Sequence, residues 1–181
     1  NIMGLLEEVD DGEIIINHHS ISNKKDALLL MRYDIGYMFQ NNALVDDYTV
    51  KENLNIVLKY SKFNKKEKLN AVKQVLSTVG LEGYENRKVY SLSGGEAQRL
   101  KLASEIGKVQ DGSIFIFDEP SIGLHPLDVE TLLRVFDTLI NQKATIIVIE
   151  HDLDVIRNSD YIIDMGPEGG QLGGEIIATG T

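Results

Sequence analysis

The 181-residue chain contains no cysteine. That excludes disulfides, thiolate zinc ligation and thiol redox chemistry, and it suits the cytoplasm. No apolar run approaches the roughly 20 residues that span a bilayer, so a membrane role has to work through a partner. Basic residues are in short supply: 18 Lys and Arg stand against 28 Asp and Glu, for a formal charge of −10 and a pI near 4.8. Phosphate-tracking surfaces are built from Lys and Arg, so this balance argues against a surface that coats nucleic acid, while leaving room for a local basic patch. The chain is 43% hydrophobic, enough at this length to bury a real core, and the length suggests one domain with room for a subdomain.

The stretch Leu92-Ser93-Gly94-Gly95-Glu96 sets a cap residue and two glycines directly ahead of a strongly helical run. Ser93 caps a helix starting near Gly94, and the glycines carry no side chain to keep a ligand off the first N–H groups. About half a positive charge gathers at such an end, so a phosphate is its natural guest. Serine-capped helices with glycines are common for structural reasons alone, and the surroundings give this one its weight. Ile114-Phe115-Ile116-Phe117 reads as a strand buried on both faces of a parallel sheet, and it ends in Asp118-Glu119-Pro120. Ligands gather at the carboxyl ends of such strands. Thr145 to Ile149 is a second apolar strand and runs into Glu150-His151-Asp152.

Elsewhere, Glu13-Ile14-Ile15-Ile16 reads as a strand, Lys24 to Tyr33 as a short helix, and Ile35 to Phe39 as a strand leading to Gln40 in a polar loop. His18 and His19 have no Cys or carboxylate at ligand spacing and read as a solvated loop, not a metal site. Thr49 caps a helix from Val50 to about Tyr60, and Asn64 with Glu67 opens the next one, in which Leu69, Val72, Leu76 and Val79 share a face and Gly80 is the stop. These helices predict a small helical subdomain over 41–108, with Lys59, Lys62, Lys65, Lys66 and Lys68 as a solvated face. Asp128 starts an amphipathic helix with Val129, Leu132, Leu133, Phe136 and Ile140 inward. Tyr161 to Asp164 and Glu175 to Ala178 read as closing strands around a glycine-rich turn.

LSGGE, then a strand ending in Asp-Glu, then a strand ending at His: this order resembles the nucleotide-binding domain of ABC-type ATPases over nearly the whole chain. The resemblance implies an α/β, P-loop NTPase-like fold, a mostly parallel sheet with helices on both faces. It implies a single domain over 1–181, with the Walker B and switch-histidine part of the core at 109–181. ATP and Mg²⁺ are the implied ligands. By resemblance, Asp118 holds magnesium through water, Glu119 is the general base, Gln40 matches the Q-loop residue beside the metal and the attacking water, and His151 matches the histidine that contacts the γ-phosphate. Ser93, Gly94, Gly95 and Glu96 would serve the ATP of a second ABC ATPase subunit, because two subunits of this family close head to tail around two nucleotides; Ser121 to Pro126 matches the loop that crosses between them. One element is missing. No G-x-x-x-x-G-K-[ST] loop is present, since the only Gly-Lys pair, Gly107-Lys108, has Leu102 where the leading glycine belongs. Asn1 to Leu6 reads as the tail of the helix that follows such a loop. The expectation is a fragment starting just after its nucleotide cradle, an ATPase by resemblance that is inactive as given.

The two halves resemble different branches of the family. Up to about Tyr90, Ile35-Gly36-Tyr37-Met38-Phe39-Gln40-Asn41 and Thr49-Val50-Lys51-Glu52-Asn53-Leu54 are similar to bacterial exporter subunits of the bacteriocin or lipoprotein type. From about Ser91, Gly95 to Ala103, Gly123-Leu124-His125-Pro126 and Gly166-Pro167-Glu168-Gly169-Gly170 are similar to the second ATPase domain of the UvrA-type excinuclease ATPases, bacterial sensors of DNA damage. A chimera with a seam near LSGGE and a divergent single lineage both account for this. The zinc-bearing DNA modules of the repair branch need cysteines, which are absent. Because the coupling surface lies in the exporter-like half, the favoured partner is a membrane permease subunit, met at the inner face of the cell membrane. DNA repair is the alternative, and a nucleotide-free structural fragment is a third reading.

Overall fold

The computed structural model describes residues 12–38, 44–61, 63–106, 112–167 and 174–181; Gln40, Phe39, the first eleven residues and the Gly107-Lys108 pair lie outside the described residues. The chain divides into two compact units, Asn1–Ile149 and Glu150–Thr181.

In the first unit, β1 (Ile15–Ile16) and β2 (His19–Ser20) pair antiparallel around Asn17 and His18, whose φ values of 47° and 67° are both positive. Two consecutive positive φ values are the mark of a tight two-residue hairpin turn. The histidine pair is therefore part of a hairpin instead of an open loop, with His19 in a strand and its Nδ1 3.7 Å from Asp26. The helix α1 (Lys24–Tyr33) begins where Asn23 Oδ1 accepts from Lys25 N at 3.0 Å. It lays Leu30 onto Ile16, Ile35 and Ile116 in one core cluster.

β3 (Ile35–Met38) then enters the main sheet. A helical stretch follows: α2 (Val50–Val57), a tighter 3₁₀ turn over Leu58–Tyr60, α3 (Lys65–Thr78) and α4 (Gly94–Ile106). The expected capping box forms at Asn64 with Glu67, and the expected Thr49 cap is completed into a box by Glu52. Val72, Leu76 and Val79 are buried as the spacing predicts, but Leu69 is turned out and 38% exposed. The buried Asn53 fixes the entry to α2, accepting from Val45 N at 2.9 Å and donating to the carbonyls of Val45 and Thr49.

β4 (Ile114–Asp118) is the central strand, parallel to β3 on one side and to β5 (Thr145–Ile149) on the other. Phe115, Ile116 and Phe117 are buried, as a continuous apolar run in a parallel sheet should be. Gly36 lies opposite Phe115, and a Cβ at Gly36 would stand 2.5 Å from the phenyl ring, so this register requires glycine there. Between β4 and β5, α5 (Pro126–Asn141) starts two residues ahead of Asp128, because proline is well suited to the first helical position. Its buried residues are Val129, Leu132, Val135, Phe136 and Leu139, while Ile140 is exposed, so the apolar stripe is rotated from the expected one. The Phe136 ring lies 5.0 Å from that of Phe117, which fixes α5 on the sheet beside the carboxyl end of β4.

In the second unit, Asp152 caps the short helix α6 (Leu153–Arg157), accepting from Asp154 N and Val155 N. The strands β6 (Ile162–Gly166) and β7 (Glu175–Gly180) form an antiparallel ribbon. No helix among the described residues is long and apolar enough to cross a membrane.

Candidate functional site

The N-terminus of α4 is built by a reciprocal cap. Ser93 Oγ accepts from Glu96 N at 3.2 Å, and Glu96 Oε2 accepts from Ser93 N at 2.8 Å. Glu96 Oε1 accepts from the Tyr84 hydroxyl at 2.9 Å and faces Arg87 Nη1 at 3.6 Å. The Ser93 N–H bond is the largest influence holding this carboxyl below its usual range; burial opposes it, and Tyr84 and Arg87 reinforce it. Both oxygens of Glu96 are thus engaged within the fold, where they fix the helix end. Arg87 also stacks over the Tyr84 ring at 4.3 Å and donates to Ser91 O at 3.0 Å, which shapes the loop into Ser93.

The two glycines do different work. A Cβ at Gly94 would meet nothing within 4 Å, so the side-chain position at the first residue of the helix is open space. At Gly95 a Cβ would stand 2.8 Å from Asp128 Oδ2, so that missing side chain makes room for a carboxylate of α5. Asp128 pairs with Arg99 of α4, whose buried Nε has no hydrogen-bond partner among the described residues. The preceding residue, the buried Gln98, donates from Nε2 to Pro120 O at 3.2 Å. The second turn of α4 is therefore tied to the turn that follows Asp118-Glu119.

Asp118 and Glu119 are half-buried at the carboxyl end of β4. Glu119 N donates to Ile149 O at 2.9 Å, and the residue has φ 47°, in the left-handed region. Such a conformation costs a non-glycine residue about 1–3 kcal/mol, and it clusters at functional sites. No group of three His, Cys, Asp or Glu among the described residues is placed to hold a metal ion. The paired carboxylates of Asp118 and Glu119 fit Mg²⁺ of the kind bound by one or two carboxylates and completed by substrate phosphates and water.

His151 is exposed two residues past the end of β5, in the second unit, with its backbone N donating to Glu150 Oε2 at 2.9 Å. Gln40 lies outside the described residues. The structure thus links the helix that begins at Ser93, Gly94, Gly95 and Glu96 to the turn after Asp118-Glu119 through Gln98, and to α5 through the Arg99–Asp128 pair. Sequence reading passed over Gln98, Arg99, Asp128, Tyr84 and Arg87 as parts of the site. The available signal was Gln98-Arg99 between Ala97 and Leu100, where helical periodicity carries polar groups inward.

The family described as ABC transporter matches residues 1–122. The chain is 46% identical over 151 residues to UvrABC system protein A of Staphylococcus aureus (strain COL), covering 82% of this chain. It is 47% identical over 152 residues to the protein of that name in Listeria monocytogenes (serovar 1/2a). In both cases the chain spans only 15% of the length of the relative. Two solved structures superimpose on it at 26% identity over 90% of this chain and 72% of theirs. One is a dimeric ATP-binding cassette in a post-hydrolysis state bound to ADP and Pi, at a TM-score of 0.77; the other is a dimeric bacterial ABC transporter cassette, at 0.79.

Proposed function

The chain belongs to the ABC transporter family, and on that premise we propose that it is the ATP-hydrolysing module of a DNA-repair ATPase of the UvrABC system protein A kind. The observation that carries this reading is the extent of the likeness. A match over 151 residues is too long to fit within 91–181, so it runs well into the half that resembles exporters. The likeness to the repair branch therefore does not stop at a seam near LSGGE, and it turns the ranking away from the membrane exporter favoured on the first half alone.

In this reading Glu119 accepts the proton of the attacking water and Asp118 is the carboxylate for Mg²⁺, which when bound neutralises charge on the transferred phosphate. The open Gly94 end and the Ser93 hydroxyl face the γ-phosphate of a second ATPase copy, with Glu96 holding their geometry. His151 and Gln40 are assigned to the γ-phosphate and to the water by family likeness. Because Gln98 ties α4 to the turn after Asp118-Glu119, and Arg99 ties it to α5, a shift at one nucleotide is felt at the other. The test is DNA binding by the chain joined to a G-x-x-x-x-G-K-[ST] loop. Affinity for damaged duplex should exceed that for undamaged duplex and fall linearly with log salt, with a slope reporting the phosphates contacted. No binding at moderate salt would contradict the proposal.

A second reading is kept because the family description and one of the superimposed structures are those of transporters. On that reading the helical region over 41–108 receives a membrane permease, and DNA has no effect.

A further inference from the structure

Away from the α4 end and the Asp118-Glu119 turn, an open pocket of about 360 Å³ is lined by Lys51 and Asn55 of α2, by Lys65, Lys68 and Leu69 of α3, and by Phe63 from the segment between them. Its volume lies in the lower part of the roughly 300–1,000 Å³ range of small-molecule sites. None of the three lysines pairs with a carboxylate among the described residues. The acidic neighbours are committed elsewhere: Glu52 accepts from Thr49 N at 2.7 Å and lies 3.9 Å from Lys88, and Glu67 accepts from Asn64 N at 2.7 Å. Lys65 and Lys68 are three apart on one helix, a spacing at which like charges repel. An uncompensated cluster of three ammonium groups is unexpected in a chain of net charge −10. The apolar part of the lining is equally unspent, with Phe63 46% exposed and Leu69 turned out of the buried stripe of α3.

Ammonium groups, a carboxamide with both a donor and an acceptor, and an open aromatic face together match a phosphate joined to a flat heteroaromatic ring. We propose that this pocket binds a nucleotide unit, with the phosphate against Lys51, Lys65 and Lys68, the base against Phe63, and the base edge within reach of Asn55. An acidic peptide would need a longer groove or a free strand edge to present its backbone or helical anchors, and one ring-sized pocket does not provide it. The site is separate from the ATP site proposed above, and the source of the nucleotide is either a free mononucleotide or a nucleic-acid strand.

The test titrates the full chain with adenosine monophosphate, a short oligothymidylate, inorganic phosphate and an amphipathic Glu/Leu peptide, followed by amide chemical shifts. Saturable binding of the mononucleotide or the oligonucleotide is expected, the tighter of the two identifying the source. Phe63→Ala and the double variant Lys65→Glu/Lys68→Glu should each weaken it about tenfold, within the range for loss of a base stack. Lys66→Glu, which makes one of the same charge changes on a residue outside the pocket lining, should leave binding unchanged. Three results would overturn the proposal: no saturable binding of either nucleotide probe, equal loss in Lys66→Glu, or inorganic phosphate or the peptide binding as tightly as the nucleotides.

Discussion

Glu96→Ala removes one half of the reciprocal cap on α4 and leaves the other, because the bond from residue 96 N to Ser93 Oγ uses only backbone at position 96. Ser93 N and the Tyr84 hydroxyl both lose their acceptor. A cap contact contributes about 1 kcal/mol, a hydrogen bond to a charged group about 1.5–3, and an ion pair like that with Arg87 at most about 1. The Glu96 side chain is only 17% exposed, so water replaces little of this, and a combined loss of about 2–3 kcal/mol follows, since the terms overlap. At 181 residues each kcal/mol moves the midpoint by about 2–4 °C, so Tm should fall by about 4–12 °C. Glu96→Gln keeps an acceptor of the same shape and should lose under about 1 kcal/mol. The pH dependence has a definite sign. The folded carboxyl titrates below its ordinary value of 4.5, so the charge-dependent stability is fully present above that value and is lost as pH falls through the lower folded value. The gap between the parent and Glu96→Gln should be constant near neutrality and close in acid. Thermal unfolding by circular dichroism reads all three proteins. An unchanged midpoint in Glu96→Ala at neutral pH, or a gap to Glu96→Gln that widens in acid, would refute the reasoning.

Gly95→Ala drives a methyl to 2.8 Å from Asp128 Oδ2 and should cost about 1–3 kcal/mol by denaturant titration, with partial recovery when Asp128→Ala is added. Gly94→Ala meets open space, so stability should hold or rise by a few tenths of a kcal/mol, roughly the gain in helix propensity, while ATP turnover falls because the methyl covers the amides offered to phosphate. With the phosphate-binding loop supplied, Glu119→Gln should lower turnover by about 10²–10⁴-fold while ATP still binds and favours the dimer. His151→Ala should also lower turnover in the same steady-state assay; parental rates in either variant would remove that residue from the chemistry.

Local chemistry was the most legible part of the sequence. Thr49 with Glu52 and Asn64 with Glu67 are capping boxes in the structure because their partners lie three residues apart, a spacing the sequence displays. The strand at Thr145–Ile149 and the helix at Lys24–Tyr33 have the bounds their patterns predict. What could not be read depends on tertiary neighbours. The need for glycine at position 95 comes from Asp128, thirty-three residues on, and Gln98 finds Pro120 O only once α4 packs against β3 and α5. The stripe of α5 rotated because the sheet selects Val135 and Leu139 over Ile140, and an apolar pattern on a helix this rich in aliphatic residues permits both. Leu69 kept its helical phase and still ended beside the lysine pocket, since burial depends on what lies opposite. The left-handed φ of Glu119 had no sequence signal at all.

The central claim is an ATPase of the DNA-repair branch, and steady-state ATP turnover of the loop-supplied protein with and without damaged duplex tests it most directly. The account predicts measurable turnover that damaged duplex alters more than undamaged duplex does, and that Glu119→Gln lowers by about 10²–10⁴-fold in both cases. Turnover that ignores DNA and responds instead to membranes carrying a permease partner would contradict it.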